Sequence, residues 1–181
     1  NYLRKQGLLN ANDASYAFTT QAKYYQDLLF ATEGHVVCDR IEYLSEYYPA
    51  NSMDYIILGE PVNLYAKPIS LTQTIVSLLK KGGKALIKLR NCLDVHTLFN
   101  LLGIEQSLDA DMPIQISLND FSQCLKAIGA KQIKAGAEYY NIEAQTKAEL
   151  AQMLQKSGLA KDGEKKLNEI CVRDYLFCIE R

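Results

Sequence analysis

The chain has 181 residues, with 20 basic and 21 acidic side chains and a formal net charge of −1. This length is enough for one domain with a sizeable core, and no cluster of Lys and Arg is interleaved with aromatic residues, so we expect no nucleic-acid partner. No apolar run is long enough to span a bilayer and no signal-peptide pattern opens the chain, which favours a cytoplasmic protein.

The cysteines predict neither a disulfide framework nor a metal site. They are odd in number, lie far apart and include no Cys-x-x-Cys pair, and the chain has only two histidines. Such a pattern is typical of reduced, buried thiols. The five positions are Cys38, Cys92, Cys124, Cys171 and Cys178.

Residues 1–34 are predicted to form a helical N-terminal part. Apolar residues recur along one face of the stretch 13–30, and Gly34 ends the periodic pattern. The run Val-Val-Cys at 36–38 then predicts a short strand, which Asp39 closes.

The stretch 53–91 predicts one β-α-β unit. The apolar run 54–58 ends at a glycine and is typical of a buried strand. Apolar residues at helical spacing over 70–80 predict a helix that stops at the glycine pair 82–83, and 84–89 predicts the second strand. A right-handed crossover makes the strands parallel and leaves the loop 59–68 at their carboxyl edge, where open α/β sheets bind ligands.

The remaining elements follow in a regular order to the end of the chain. Ser117 is a predicted helix N-cap, with Asp120 at the capping-box spacing. We expect helices at 94–102 and 121–128, a strand at 131–138, an inserted helical hairpin within 143–168 and a last, antiparallel strand at 174–180.

Several motifs together resemble a known family. They are the strand SMDYIILGE, a loop ending in Pro68, a helix ending LLKKGGK, the strand ALIKLRN, and Leu108-Asp109 followed by Ser117-Leu118-Asn119-Asp120-Phe121. The set resembles a class I S-adenosylmethionine-dependent methyltransferase, in particular the methyltransferase-like domains fused to bacterial family 2 glycosyltransferases, over residues 36–137. The resemblance implies an α/β fold: a three-layer, Rossmann-like sandwich with a mostly parallel sheet and an antiparallel C-terminal strand, over one domain of residues 1–181.

The resemblance also implies a function and two cofactor-binding residues. The cofactor would be S-adenosylmethionine and the methyl acceptor a sugar or another small molecule. Asp39 resembles the acidic residue that receives the adenine amino group, and Glu60 stands where the family has an acidic residue bordering the methyl-transfer site.

The chain departs from the family pattern at three places. No glycine-rich turn follows a strand-like run before His35, although such a turn lets backbone approach the cofactor. Either the chain begins after the first strand of the fold, or the domain is degenerate in cofactor binding, which we favour. Asn63 and Leu64 replace a Glu-His pair, and a usually polar strip is acidic and apolar at Asp111, Met112 and Ile114.

These departures leave the catalytic residues unassigned and keep a second hypothesis open. The alternative is a non-catalytic association module that forms a homodimer or docks on a glycosyltransferase domain. For His96 we favour a solvent-facing or capping role, since Asp94 is the one neighbouring carboxylate, and for His35 a structural role. Cys38 and Cys92 follow strand ends at one edge, and we favour packing for both.

Overall fold

A computed structural model describes residues 14–32, 35–101, 113–158 and 161–181. The chain divides into two compact units, Asn1–Ala50 and Asn51–Arg181. The expectation of a single domain stays a prediction.

The first unit is built on a small parallel sheet. Strand β1, Ala17–Thr19, pairs in parallel with β2, Val36–Cys38, so that Thr19 lies opposite Cys38. Helix α1, Tyr25–Thr32, lies between them in sequence. The predicted helical stretch therefore contains a strand, because three residues are too few to show alternation in sequence. The other elements of this unit are 3-10 turns at Ala22–Tyr24 and Ile41–Tyr43 and the short helix α2, Leu44–Tyr47.

The second unit is built on a four-stranded sheet in the order β3-β4-β6-β5. Its strands are β3, Met53–Pro61, β4, Leu79–Arg90, β5, Lys131–Tyr139, and β6, Val172–Glu180. Strand β4 is parallel to β3, whereas β6 is antiparallel to both β4 and β5. Three strands thus run in one direction and the C-terminal strand runs against them, which confirms the predicted fold class.

Helices connect these strands, and their ends follow local capping rules. They are α3, Pro68–Leu78, α4, Val95–Leu101, α5, Leu118–Ala127, α6, Ala144–Lys156, and α7, Gly163–Ile170. Pro68 occupies the first turn of α3, where a missing N–H costs nothing. The predicted cap at Ser117 is confirmed, since its hydroxyl accepts the Asp120 N–H at 3.0 Å. Helices α6 and α7 occupy the predicted hairpin region and continue past residue 168 to Ile170, and their status as an insertion stays a prediction.

The glycine pair has a different role from the predicted helix stop. Helix α3 already ends at Leu78, and Gly82 and Gly83 lie inside β4, where the register with β3 shifts. Gly82 has φ +78°, and a Cβ on Gly83 would lie 2.9 Å from the Lys80 carbonyl oxygen. Glycines at this bend let the strand bulge and then resume its pairing.

The core of the second unit lies between one sheet face and its helices. The rings of Phe121 on α5 and Phe177 on β6 are fully buried and meet edge to face at 5.0 Å. A second cluster joins α6, α7 and α4 around Leu154, Leu167 and Val95. Helices α6 and α7 approach so closely that Gly163 has room for no Cβ.

Candidate functional site

The carboxyl edge of the β1–β2 sheet carries the predicted residue Asp39. The Asp39 N–H donates to the Thr19 carbonyl at 3.1 Å, which extends the pairing of the two strands by one bond. Beyond β1, the Thr19 hydroxyl accepts the Gln21 N–H at 3.1 Å and closes a tight turn. This turn contains Thr20 and no glycine.

Hydrogen bonds to both carboxylate oxygens fix the side chain of Asp39. The Arg40 N–H donates to one oxygen at 2.7 Å, and the Tyr47 hydroxyl donates to the other. The Tyr47 hydrogen bond is the main cause that lowers the pKa of Asp39, so this carboxylate is ionised at neutral pH. The Phe18 ring lies 5.9 Å from the Tyr47 ring, so it packs against the aromatic residue whose hydroxyl holds the carboxylate.

Only part of S-adenosylmethionine fits the residues at this edge. An ionised carboxylate beside aromatic rings suits the amino group and ring of adenine, because each carboxylate oxygen can accept a second hydrogen bond. The turn after β1 is formed by residues with side chains, so it offers no bare backbone for the methionine portion. The predicted adenine contact of Asp39 stays a prediction.

In the second unit, Glu60 lies inside β3 and not in the predicted loop. Strand β3 continues to Pro61, and the connection to α3 begins with a 3-10 turn at Val62–Leu64. Glu60 is exposed, and the Tyr65 hydroxyl donates to its carboxylate at 3.2 Å. Burial, and then the charge of Glu60, raise the pKa of Tyr65, so this phenol remains a hydrogen-bond donor. That Glu60 borders the methyl-transfer site stays a prediction.

Asn63 has a structural role that the sequence did not reveal. It is fully buried, its amide nitrogen donates to the carbonyls of Arg90 and Ile114 at 3.1 Å each, and its amide oxygen accepts the Arg90 N–H at 2.8 Å. The Ile114 N–H donates to the Asn63 carbonyl at 2.7 Å. An acidic residue here would face two carbonyl oxygens, so a general base does not fit this position.

A network of charged side chains, which we call the ionic cluster, spans β4, β5 and β6. The Asp174 carboxylate is 2% exposed and accepts from the side chains of Arg90 at 2.6 Å and Arg173 at 3.1 Å. Arg173 also donates to Glu138 at 2.7 Å, and Lys88 lies 3.1 Å from both Glu138 oxygens. The Arg173 hydrogen bond and then that of Lys88 lower the pKa of Glu138. The cluster ties three strands together near the carboxyl end of β4.

Asp94 caps helix α4, and its two carboxylate oxygens bind partners other than His96. One carboxylate oxygen accepts the Thr97 N–H at 2.8 Å, and the other accepts the Tyr140 hydroxyl at 2.7 Å. The His96 ring packs edge to face on the Tyr140 ring at 4.4 Å. Burial, followed by the Asp94 hydrogen bond, raises the pKa of Tyr140. His96 is therefore half-buried against an aromatic ring, and its solvent-facing or capping role stays a prediction.

The sequence predictions for the cysteines and for His35 can be compared with the structure. All five cysteines are free, as expected, and Cys171 is buried, but the expectation of burial is wrong for Cys38, which is exposed. His35 is exposed beside the Tyr16 ring at 5.2 Å. Cys92 and Cys38 belong to different units.

Two kinds of feature are absent from the part of the chain that the structure describes. No group of three or more His, Cys, Asp or Glu side chains in that part is arranged to hold a metal ion. None of its helices combines the length and the apolar character that crossing a membrane requires.

No protein-family model and no curated protein sequence matches this chain. Solved structures do resemble its fold. A SAM-dependent methyltransferase from Archaeoglobus fulgidus has a TM-score of 0.61 at 15% identity, over 99% of this chain and 91% of that one. The plantazolicin methyltransferase BamL, solved in complex with SAH, has a TM-score of 0.59 at 14% identity, over 99% of this chain and 71% of that one.

The same fold also supports different chemistry among these neighbours. The cyclase SpnF has a TM-score of 0.57 at 12% identity, over 98% of this chain and 69% of that chain. At such identities the likeness shows the fold alone, and function must come from the residues of the site. The chain has the Rossmann-like fold of SAM-dependent methyltransferases.

Proposed function

We propose that this chain is a methyltransferase-like domain of S-adenosylmethionine-dependent ancestry that is degenerate in cofactor binding. It keeps a carboxylate for the adenine group and lacks the glycine turn for the methionine portion. The observation that carries the proposal is Asp39, held ionised after the second strand of a methyltransferase fold. In the proposed setting the domain is cytoplasmic and belongs to a bacterial protein that also contains a glycosyltransferase domain.

The proposed adenine contact rests on charge and geometry within the first unit. The carboxylate of Asp39 is fixed by the Arg40 N–H and the Tyr47 hydroxyl, so little side-chain entropy is lost when a further donor binds. The exocyclic amino group of adenine is such a donor. The Tyr47 ring supplies an apolar surface beside it.

Glu60 has a lesser role in the proposal: it would border the methyl-transfer site, with a sugar-like acceptor as its partner, only in an active form of the domain. Its exposed carboxylate is held by the Tyr65 hydroxyl at 3.2 Å at the end of β3. The next position at which the family pattern has a base holds Asn63, whose amide is not a base and binds main-chain partners. This supports a domain in which methyl transfer has been lost.

Thermal unfolding with two ligands tests the proposal. Because only the adenine group is held, adenosine and S-adenosylhomocysteine should raise the melting temperature at similar concentrations. Asp39→Ala should abolish both shifts, whereas Asp54→Ala, which removes an exposed partner of Lys80, should leave them unchanged. Binding of S-adenosylhomocysteine more than about tenfold tighter than adenosine, equal to about 1.4 kcal/mol, would show that the methionine portion is held and refute degeneracy.

A second candidate function, self-association, is favoured by the exposure of β3. This strand has a hydrogen-bonded neighbour on one side only within the described sheets. Tyr55 and Ile57 share one of its faces and are 70% and 61% exposed. Parallel strands are normally covered on both faces, and an exposed apolar edge strand is prone to pair with another chain.

Solution mass distinguishes this candidate from the first. An association module should be a dimer that Ile57→Lys converts to a monomer, while Ile133→Lys, at an exposed position on β5, should not. A monomer at all concentrations would eliminate self-association and leave docking on a glycosyltransferase domain as the remaining form of this hypothesis.

A further inference from the structure

A groove of about 770 Å³ opens in the second unit at the carboxyl end of β4. Its lining comes from the connection after β4, the first turn of α5, the last residue of β5, the helix α7 and the start of β6. The volume is typical of small-molecule sites. The carboxyl ends of strands are also where open α/β sheets place their ligands.

The base of the groove is fixed before any ligand arrives. The buried Asn91 amide donates to the carbonyls of Val172 at 2.9 Å and Glu169 at 3.2 Å, and its oxygen accepts the Leu93 N–H at 3.1 Å. These bonds hold the end of α7, the start of β6 and the connection after β4 to one side chain. A preformed site loses little affinity to reorganisation.

Large apolar side chains from four separate segments line this groove. Leu93 is 71% exposed, Tyr139 is 60% exposed and Leu118 is 44% exposed, and Tyr175 is half-buried among them. Burial raises the pKa of Tyr175, which therefore stays a neutral donor. Convergence of exposed apolar groups in a concave surface is typical of a ligand site, whereas isolated exposed residues are ordinary.

The charges around the groove favour a cation. Helix α7 and its cap supply three carboxylates to the lining, against the two ammonium groups of Lys165 and Lys166. Lys166 is paired with Glu169 at 3.0 Å. The excess carboxylate and the two tyrosine rings both attract a positive charge.

We propose that this groove binds a small molecule with an aromatic ring and a protonated amine. The ring packs against Leu93, Leu118 and Tyr139, and the ammonium group lies toward the α7 carboxylates. Binding at this groove does not depend on the proposed function, because the residues that line it belong to the second unit and Asp39 belongs to the first.

Titration of the ¹⁵N-labelled protein with tyramine, in the absence of any cofactor, tests the proposal. We expect saturable shifts of amide signals from α7 and from the connection after β4. Tyr139→Ala and Leu93→Ala should each weaken binding by about threefold to tenfold, from lost apolar and cation–π contact. Tyr55→Ala, which removes an exposed tyrosine on β3, outside the groove, should leave the affinity unchanged. Both groove positions are exposed, so these variants should fold.

A second ligand tests the charge argument. 4-Hydroxyphenylacetate has the same ring and the opposite charge, and it should bind more weakly than tyramine. Glu164→Gln should reduce this preference. Shifts that do not saturate, tyramine binding unchanged in both groove variants, or tighter binding of the anion would each overturn the proposal. Because no cofactor is present, loss of the adenine site leaves these results unaffected.

Discussion

Replacing Asn63 by Asp tests the claim that this amide holds the connection after β3 in place. The substitution keeps the shape of the side chain and removes both N–H donors, so two carbonyl oxygens at 3.1 Å lose their partner and face a carboxylate. Two lost buried hydrogen bonds and an unpaired charge should reduce the free energy of unfolding by about 3–5 kcal/mol at neutral pH. The Arg90 N–H still has an acceptor, which limits the loss.

The pH dependence of this variant separates charge from shape. Burial against carbonyl oxygens raises the pKa of the introduced carboxyl in the folded state above its unfolded value of about 3.9. The protonated form is then favoured by folding, so the destabilisation is complete above the folded pKa and shrinks as the pH falls through it. Each pH unit in that window should recover at most about 1.4 kcal/mol.

Urea unfolding followed by circular dichroism at pH 7.5 and pH 5.5 measures both effects. A loss of about 4 kcal/mol corresponds to a midpoint about 2 M lower in urea, for a slope near 2 kcal/mol per M. Asn141→Asp introduces the same charge at an exposed position and should leave the midpoint almost unchanged. A midpoint for Asn63→Asp equal to that of the unaltered protein would refute the reasoning.

Three further substitutions should reduce stability in the same assay. Asp174→Asn removes the buried carboxylate that two arginines share and should cost about 1–3 kcal/mol, since the arginine side chains left behind are 29% and 43% exposed and remain hydrated. Gly163→Ala places a Cβ 2.1 Å from the Ala151 carbonyl oxygen, so α6 and α7 must separate, at a cost of about 1–3 kcal/mol or more. Tyr140→Phe leaves one oxygen of the buried Asp94 without its donor and should cost about 1–3 kcal/mol.

Matched changes at exposed or open positions serve as controls for these three. Asp54→Asn disrupts an ion pair whose side chains are 48% and 67% exposed and should cost at most about 1 kcal/mol. A Cβ on Gly59 meets no atom within 4 Å, so Gly59→Ala should be nearly neutral. Tyr139→Phe removes a hydroxyl from an exposed ring. If any control lowers the free energy of unfolding as much as the substitution that it matches, the explanation given for that substitution is wrong.

The elements with local signals were predictable from the sequence. The hydroxyl of Ser117 reaches an N–H only three residues away, so its residue type already indicates the start of α5. The strand at 36–38 follows from its apolar, β-branched run Val-Val-Cys, and the β-α-β unit around α3 follows from short-range periodicity. The glycine pair misled the prediction because a helix stop and a strand bulge favour the same residue.

The features that the sequence did not predict depend on partners that are distant along the chain. Asn63 binds main-chain atoms 27 and 51 residues away, and Arg90 meets Asp174 across 84 residues. Neither residue type indicates such a partner in sequence. The groove depends on five segments that only folding brings together. The family resemblance predicted the fold correctly because it used the order of elements and not these contacts.

The unequal sizes of the two sheets should produce unequal resistance to local opening. Strands β4 and β6 each have a hydrogen-bonded strand on both sides, so their amide protons should exchange with solvent last. The pair β1–β2 has three residues a strand and no further neighbour in its sheet, and two-stranded sheets are marginal in water. Asp39 directly follows β2, so a nucleoside that binds it would slow exchange in the smaller of the two sheets.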